Sequence, residues 1–328
     1  MVHDELLFII THQAFELWFK QVIFELDDVI TRLSTIPVSD QDLSLIEQRF
    51  ERMIAIQELM LSQFSVLETM TALDFLDFRD YLIPASGFQS FQFRLLESKM
   101  GLALSKRSQS QEYILSAFSK KEQDSLLRAD CSANLFSLLE TWLERMPFLE
   151  DEEFSFLQHY EQVIEKMLEN EEKRIEQAPR TQKVADLELK QLEQNRNNFR
   201  SLFEPHVYEA LIKEGKRRLS RKAMFSAIFI HLYRDYAIFH LPFRILTQVV
   251  LIDENWERWR SRHFRMIRKM IGKKIGTGGS SGHDYLKSTV EKHRVFSDFD
   301  QIPTYLIQRK CIPSLPTSIE KKMGLSWG

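Results

Sequence analysis

Glycine is almost missing from this chain, and that scarcity limits the folds open to it more than any other feature. Only 10 of its 328 residues are glycine, and five of those (Gly272, Gly276, Gly278, Gly279 and Gly282) crowd into one short stretch. β-Sandwiches and barrels turn every few residues, and their tight turns use glycine for backbone angles that other residues avoid. A chain with so few glycines, punctuated by 9 scattered prolines, is poorly equipped to make them. Its apolar residues recur at helical spacing instead, and no stretch alternates strictly enough to define a strand.

Local signals place the helices. Leu6 to Leu33 is apolar on more than one face, aligns Phe8, His12, Phe15 and Phe19, and ends at Pro37. Ser39 and Asp40 offer caps for a long amphipathic helix that carries Ile46, Phe50, Met53 and Met60 on one stripe. Thr71 followed by Asp74 reads as a capping box for a short helix that must stop near Pro84. Phe88 to Met100 is a further helix, closed by Gly101. Residues 102–118 are polar and Ser/Gln-rich, a loop or weak helix, and Ser119 with Glu122 caps the next helix. Helices over Ser132–Met146, Asp151–Gln177, Lys183–Phe203 and Ser220–Phe239 follow, parted by Pro147, Pro179 and Pro205, and Pro242 resets the register. The mixed-charge segment from about 102 to 215 differs from the apolar segments on either side. It reads as a smaller helical subdomain inserted into one core, so that residues 1–328 form a single domain.

Composition narrows the function. The chain is 44% apolar and carries a net charge of -3, which excludes disorder and gives no general attraction for nucleic acid. Two cysteines, Cys131 and Cys311, are too few for a disulfide framework and fit a reducing compartment. No apolar run is long enough to span a membrane, and the start lacks the basic-then-apolar form of a signal peptide.

The most regular segment follows Pro242. Ile245, Val249, Ile252, Trp256, Trp259, His263, Met266 and Met270 form one unbroken stripe in which a single member is polar. His263 has two readings. It is a core histidine satisfied by a hydrogen bond, or it is a haem ligand, since an apolar aromatic wall with one imidazole suits a macrocycle and its iron. Zinc would need further ligands, and the next histidine, His283, is not at helical spacing. The same helix is basic elsewhere, from Arg258 to Lys274. Those cations read as a face paired with the acidic stretch from Glu144 to Glu153 and the run from Glu161 to Glu172, with one or two left for haem propionates, rather than as a nucleic-acid surface.

The glycine cluster follows directly. It lacks the Gly-Lys-Ser/Thr of a P-loop and the preceding strand of a dinucleotide fingerprint. It is a flexible linker, or a loop of hydroxyls and free amides able to fold over a small polar ligand. His12 shares a helix face with Phe8 and Phe15, as a core residue or as the polar group of an aromatic pocket. Arg79 lies among aromatics just before the turn Pro84-Ala-Ser-Gly87, as a structural cation or as a two-pronged clamp for a carboxylate.

Four stretches in this order resemble the tryptophan 2,3-dioxygenase family: His3-Asp-Glu-Leu-Leu-Phe-Ile-Ile-Thr-His-Gln-Ala-Phe-Glu-Leu-Trp18, Phe78-Arg-Asp-Tyr-Leu-Ile-Pro-Ala-Ser-Gly-Phe-Gln-Ser90, Trp259-Arg-Ser-Arg-His263, and Met270-Ile-Gly272 leading into Gly276-Thr-Gly-Gly-Ser-Ser-Gly282 and Tyr285-Leu286. The resemblance runs from Val2 to about Ile307. It implies an all-α helical bundle enclosing a haem pocket, in a cytosolic homotetramer with haem b as cofactor. It implies insertion of both atoms of O2 across the indole C2–C3 bond of L-tryptophan, giving N-formyl-L-kynurenine. The alternative is a haem-binding or haem-sensing helical protein without catalysis.

Residue by residue, the resemblance makes His263 the proximal iron ligand and His12 the distal histidine facing the indole N–H, the one catalytic assignment. It makes Phe8 the ring that packs on the indole, with Ile9, Ile10 and Thr11 of the same motif among the substrate-binding residues. Arg79 would bind the substrate carboxylate, Thr277 its ammonium and carboxylate, and Ser86 would lie near the haem edge. Phe75 stands where relatives often have tyrosine, so a hydroxyl contact is lost there. Relatives usually carry a segment before the first helix whose tyrosines help close the pocket, whereas Met1 here lies two residues before His3. The expectation is a more open site that binds substrate more weakly.

Overall fold

A computed structural model gives the architecture, describing residues 2–83, 85–151, 154–179, 181–272, 274 and 282–323. The helices of the first part are α1 (His3–Leu33), α2 (Asp40–Leu67), α3 (Ala72–Arg79), α4 (Phe91–Met100), α5 (Gln111–Ser116), α6 (Lys120–Cys131) and α7 (Leu135–Glu144). A minimal antiparallel pair, β1 (Glu150–Asp151) and β2 (Phe154–Ser155), comes next. Then follow α8 (Phe156–Gln177), α9 (Gln182–Phe203), α10 (Pro205–Lys213), α11 (Arg221–Leu232), α12 (His240–Ile271), α13 (Gly282–Lys292), α14 (Ile302–Tyr305) and α15 (Thr317–Met323). The fold is all-α.

Two compact units divide the chain. One comprises residues 1–139 and 244–297, the other residues 140–243 and 298–328. In the first, α2 lies along α1 and α4 packs on α1. Val22, Leu26 and Val29 of α1 and Ile46, Phe50 and Met60 of α2 are fully buried, as is the upper part of the α12 stripe, Ile245, Val249 and Ile252. In the second, α8 packs on α9 and α9 on α10. Phe156 and Tyr160 are buried there with Phe229 of α11.

Most helix limits follow from caps. Both expected capping boxes form: Thr71 with Asp74, and Ser119 with Glu122. Ser39 accepts from the Asp42 N–H at the start of α2. Gly101 closes α4 with φ +113°, and its N–H reaches the Glu97 and Ser98 carbonyls. A Cβ there would lie 2.7 Å from Asn134 Oδ1 and 2.8 Å from Phe136 Cβ, so close approach requires glycine as well. Residues 102–118 contain a 3-10 turn and the short helix α5.

Three limits differ from the sequence reading. The helix expected from Asp151 begins at Phe156, because residues 150–155 pair as a hairpin and Ser155 accepts the Gln158 N–H as N-cap. The helix expected over Ser220–Phe239 ends at Leu232 and resumes as a 3-10 turn over Ala237–Phe239. Pro242 lies inside the first turn of α12, where its missing N–H costs no helical bond.

Candidate active site

Among the singled-out side chains of the first unit, α1 and α3 bring Phe8, His12 and Phe75 together. On α1, Phe8 and His12 are one turn apart with ring centroids 4.0 Å apart. Phe8 meets Phe75 at 5.7 Å and Phe78 at 5.6 Å, both on α3, and those two meet each other at 5.4 Å. Arg79 ends α3 one turn after Phe75, so the helical repeat sets it on the same side as the ring that touches Phe8.

His12 has a defined tautomer. Its Nδ1 lies 2.7 Å from the Phe8 carbonyl oxygen, which can only accept, so the proton sits on Nδ1. Desolvation by the surrounding protein lowers its pKa from the ordinary value, against the opposing pull of the Phe8 bond and of Glu16, although the residue keeps an exposed surface. At neutral pH the ring therefore presents a bare Nε2 lone pair. That lone pair accepts a hydrogen bond and donates none.

His263 lies further along α12, with Trp259 at 5.2 Å and Phe64 at 6.4 Å between ring centroids. Desolvation, and then repulsion from any charge on His12, lower its pKa to about 4. His263 is half-buried and makes no hydrogen bond among the described residues. Its helix is anchored on α2: Arg262 donates to the Leu61 carbonyl at 2.9 Å and meets Glu68 at 3.1 Å, and Gln57 Nε2 donates to the Ile252 carbonyl at 3.0 Å. Arg260 pairs with Glu97 at 3.3 Å. These partners, Glu68 and Glu97, replace the acidic runs between Glu144 and Glu172 that the sequence proposed for this pair of arginines.

The remaining positions fall as follows. Ile9 is half-buried and Ile10 exposed on α1, while Thr11 is buried and its carbonyl accepts from Gln63 at 2.8 Å. Ser86 opens a turn in which its N–H donates to Gln89 Oε1 at 3.1 Å. Thr277 lies outside the described residues. Sequence reasoning missed Glu16, which accepts from Ser90 Oγ at 2.5 Å and Gln92 Nε2 at 2.9 Å and so fixes the start of α4 against α1. It also missed Phe64 and Gln63, which stand on an ordinary amphipathic stripe with no local mark.

A family profile described as tryptophan 2,3-dioxygenase matches residues 1–306. The chain belongs to the tryptophan 2,3-dioxygenase family. A tryptophan 2,3-dioxygenase of Bdellovibrio bacteriovorus is 43% identical over 99% of this chain and 91% of its own length. That of Dictyostelium discoideum is 42% identical over 99% and 82%, and tryptophan 2,3-dioxygenase A of Danio rerio is 44% identical over 97% and 79%. The donor set suits a family that holds its iron in haem. Among the described residues no group of three His, Cys, Asp or Glu side chains could hold a bare metal ion. Among the described residues the site offers one imidazole, His263, without a hydrogen-bond partner and set against aromatic rings, the form in which histidine binds haem iron.

Proposed function

We propose that this chain is a haem-dependent dioxygenase that inserts both atoms of O2 across the indole C2–C3 bond of L-tryptophan, giving N-formyl-L-kynurenine. The observation that carries the reading is the pairing of two neutral imidazoles with different duties. His263 makes no hydrogen bond among the described residues and would hold the iron of haem b. His12 is tied to the Phe8 carbonyl and keeps its Nε2 for substrate. Ferrous haem, when bound, supplies the O2-reactive iron.

The side chains of the chain do the positioning. The Phe8 and Phe75 rings offer apolar faces to a flat indole. His12 Nε2 accepts the indole N–H, which sets the rotation of the ring in its plane. Arg79 takes the substrate carboxylate through two parallel N–H···O bonds, and this selects an amino acid over a bare indole. Thr277 adds a contact to the ammonium and carboxylate, and Ser86 lines the edge of the site. Fixing both ends of the substrate makes the reaction depend on alignment, which is where most of the rate gain is expected.

Self-association as a homotetramer in the cytosol belongs to the same proposal. Ile10, Leu17 and Phe24 are exposed on α1 at seven-residue intervals, a seam suited to a second copy. No helix among the described residues is long and apolar enough to cross a membrane.

The test is anaerobic reduction of haem-loaded protein followed by O2 and L-tryptophan. Formylkynurenine absorbance is expected. A Soret band without product would favour haem binding alone, and an unaltered haem content in His263→Ala would refute the ligand assignment.

A further inference from the structure

His12 is bracketed on its own helix. Phe8 stands one turn before it and Glu16 one turn after, about 12 Å apart along the axis. Each bracket holds a different element. Phe8 packs on Phe75 and Phe78 of α3. Glu16 holds the first turn of α4. Ser90 Oγ donates to Glu16 Oε1 at 2.5 Å, and Gln92 Nε2 donates both to Glu16 Oε2 at 2.9 Å and to the Glu16 carbonyl at 2.8 Å. The segment between α3 and α4, which carries Ser86, is therefore suspended between two attachments on α1, one on either side of His12.

The Glu16 attachment reaches Ser86 through a short run of hydrogen bonds. Ser90 Oγ also accepts the Phe93 N–H at 3.3 Å as N-cap of α4, so the hydroxyl is committed in both directions. Behind it the Ser90 N–H donates to the Gly87 carbonyl at 3.3 Å and the Gln89 N–H to the Ser86 carbonyl at 2.9 Å. The Ser86 N–H returns to Gln89 Oε1 at 3.1 Å. A shift of Ser90 carries Ser86 with it.

Packing alone does not require this. Phe19 on Phe93, at 5.1 Å between ring centroids, already joins α1 to α4 without fixing a direction. A half-buried carboxylate costs desolvation that a further apolar contact would avoid. What it adds is direction, since each of its oxygens faces one donor. It also acts on His12, one helical turn away, as a charge.

We propose, resting on the dioxygenase reading above, that Glu16 is a positioning residue of the reaction. It fixes the Ser86–Ser90 turn in register with the helix turn that carries His12, and it acts on the alignment of the indole through those groups.

Haem-loaded full-length protein tests this, with kcat for tryptophan from product formation and Kd from the tryptophan-induced Soret shift. Glu16→Ala should lower kcat at least about tenfold and change Kd less than about threefold, because the groups assigned to the substrate remain and their alignment is lost. Glu16→Gln should recover kcat to within about threefold of the parent, since its amide oxygen can accept from Gln92 and its NH2 can donate to Ser90 Oγ. Gln92→Met keeps the bulk and removes both Gln92 bonds, and should lower kcat in the same selective way. It decides the matter if Glu16→Ala folds badly. The double variant should lose less than the product of the two single losses, because both cut one tether. A parent without turnover defeats the dioxygenase reading and this proposal with it. With an active parent, the proposal alone is overturned by kcat unchanged in Glu16→Ala or Gln92→Met, by Glu16→Gln as slow as Glu16→Ala, or by losses that multiply in full.

Discussion

Replacing His12 separates two properties that the structure assigns to one atom. His12 Nε2 is an acceptor, and it titrates. Leucine removes both, whereas glutamine keeps a carbonyl oxygen able to accept and removes the titration. In His12→Leu the indole N–H of bound substrate is left unpaired in a crowded site. That costs about 1–3 kcal/mol, so kcat/KM for tryptophan should fall about 5- to 160-fold. The pH dependence gives the sharper result. The pKa of His12 lies below the ordinary histidine value, so the unmodified enzyme is in its accepting form at neutral pH. As pH falls through that pKa, Nε2 gains a proton, and the lone pair becomes a donor facing another donor. Log kcat/KM should then drop toward slope one. His12→Gln should be flat over the same range, because its side-chain amide accepts the same hydrogen bond and does not titrate. The assay is steady-state formylkynurenine production from pH 5 to 8 on variants with matched haem content. If His12→Leu equals the unmodified enzyme, the hydrogen bond to the indole does not exist. If His12→Gln keeps the acid limb, some other group produces it.

Three further outcomes follow from other residues. Arg79→Leu should raise KM for tryptophan about 10- to 150-fold, from about 1.5–3 kcal/mol of lost charge-assisted bonding, and an unchanged KM would reject the clamp. Gly101→Ala should destabilise the first unit by about 1–3 kcal/mol, since φ +113° disfavours any side chain and the new Cβ meets Asn134 and Phe136; a urea midpoint equal to that of the parent would contradict it. The haem-free chain should lose stability as pH falls from about 6.5 to 4, because the unfolded His263 takes up a proton that the folded one refuses. The loss from this group is at most about 3 kcal/mol, and His263→Phe should remove that share of the slope in acid-unfolding curves.

What the sequence revealed was local. The capping boxes at Thr71 and Ser119 and the closure at Gly101 depend on residues three or four apart, and all of them form. The α12 stripe was legible for the same reason. The meeting of Phe8 with Phe75 was not, because no period links α1 to α3, and only the family resemblance set the two side by side. Arg260 shows the limit most clearly. Its partner Glu97 lies 163 residues away, and a count of acidic residues pointed to the wrong runs. The hairpin before α8 escaped notice because two-residue strands leave no alternation to read.

The helix that carries His263 is held partly through main-chain oxygens: Gln57 grips the carbonyl of Ile252, and Arg262 that of Leu61. A carbonyl is present whatever side chain its residue bears. Positions 252 and 61 therefore keep this grip through exchanges among apolar residues of similar size, whereas Gln57 and Arg262 cannot be exchanged without losing it. Random mutagenesis scored by haem retention should find the first pair permissive and the second pair intolerant, so that the grip on α12 is inherited through two side chains instead of four.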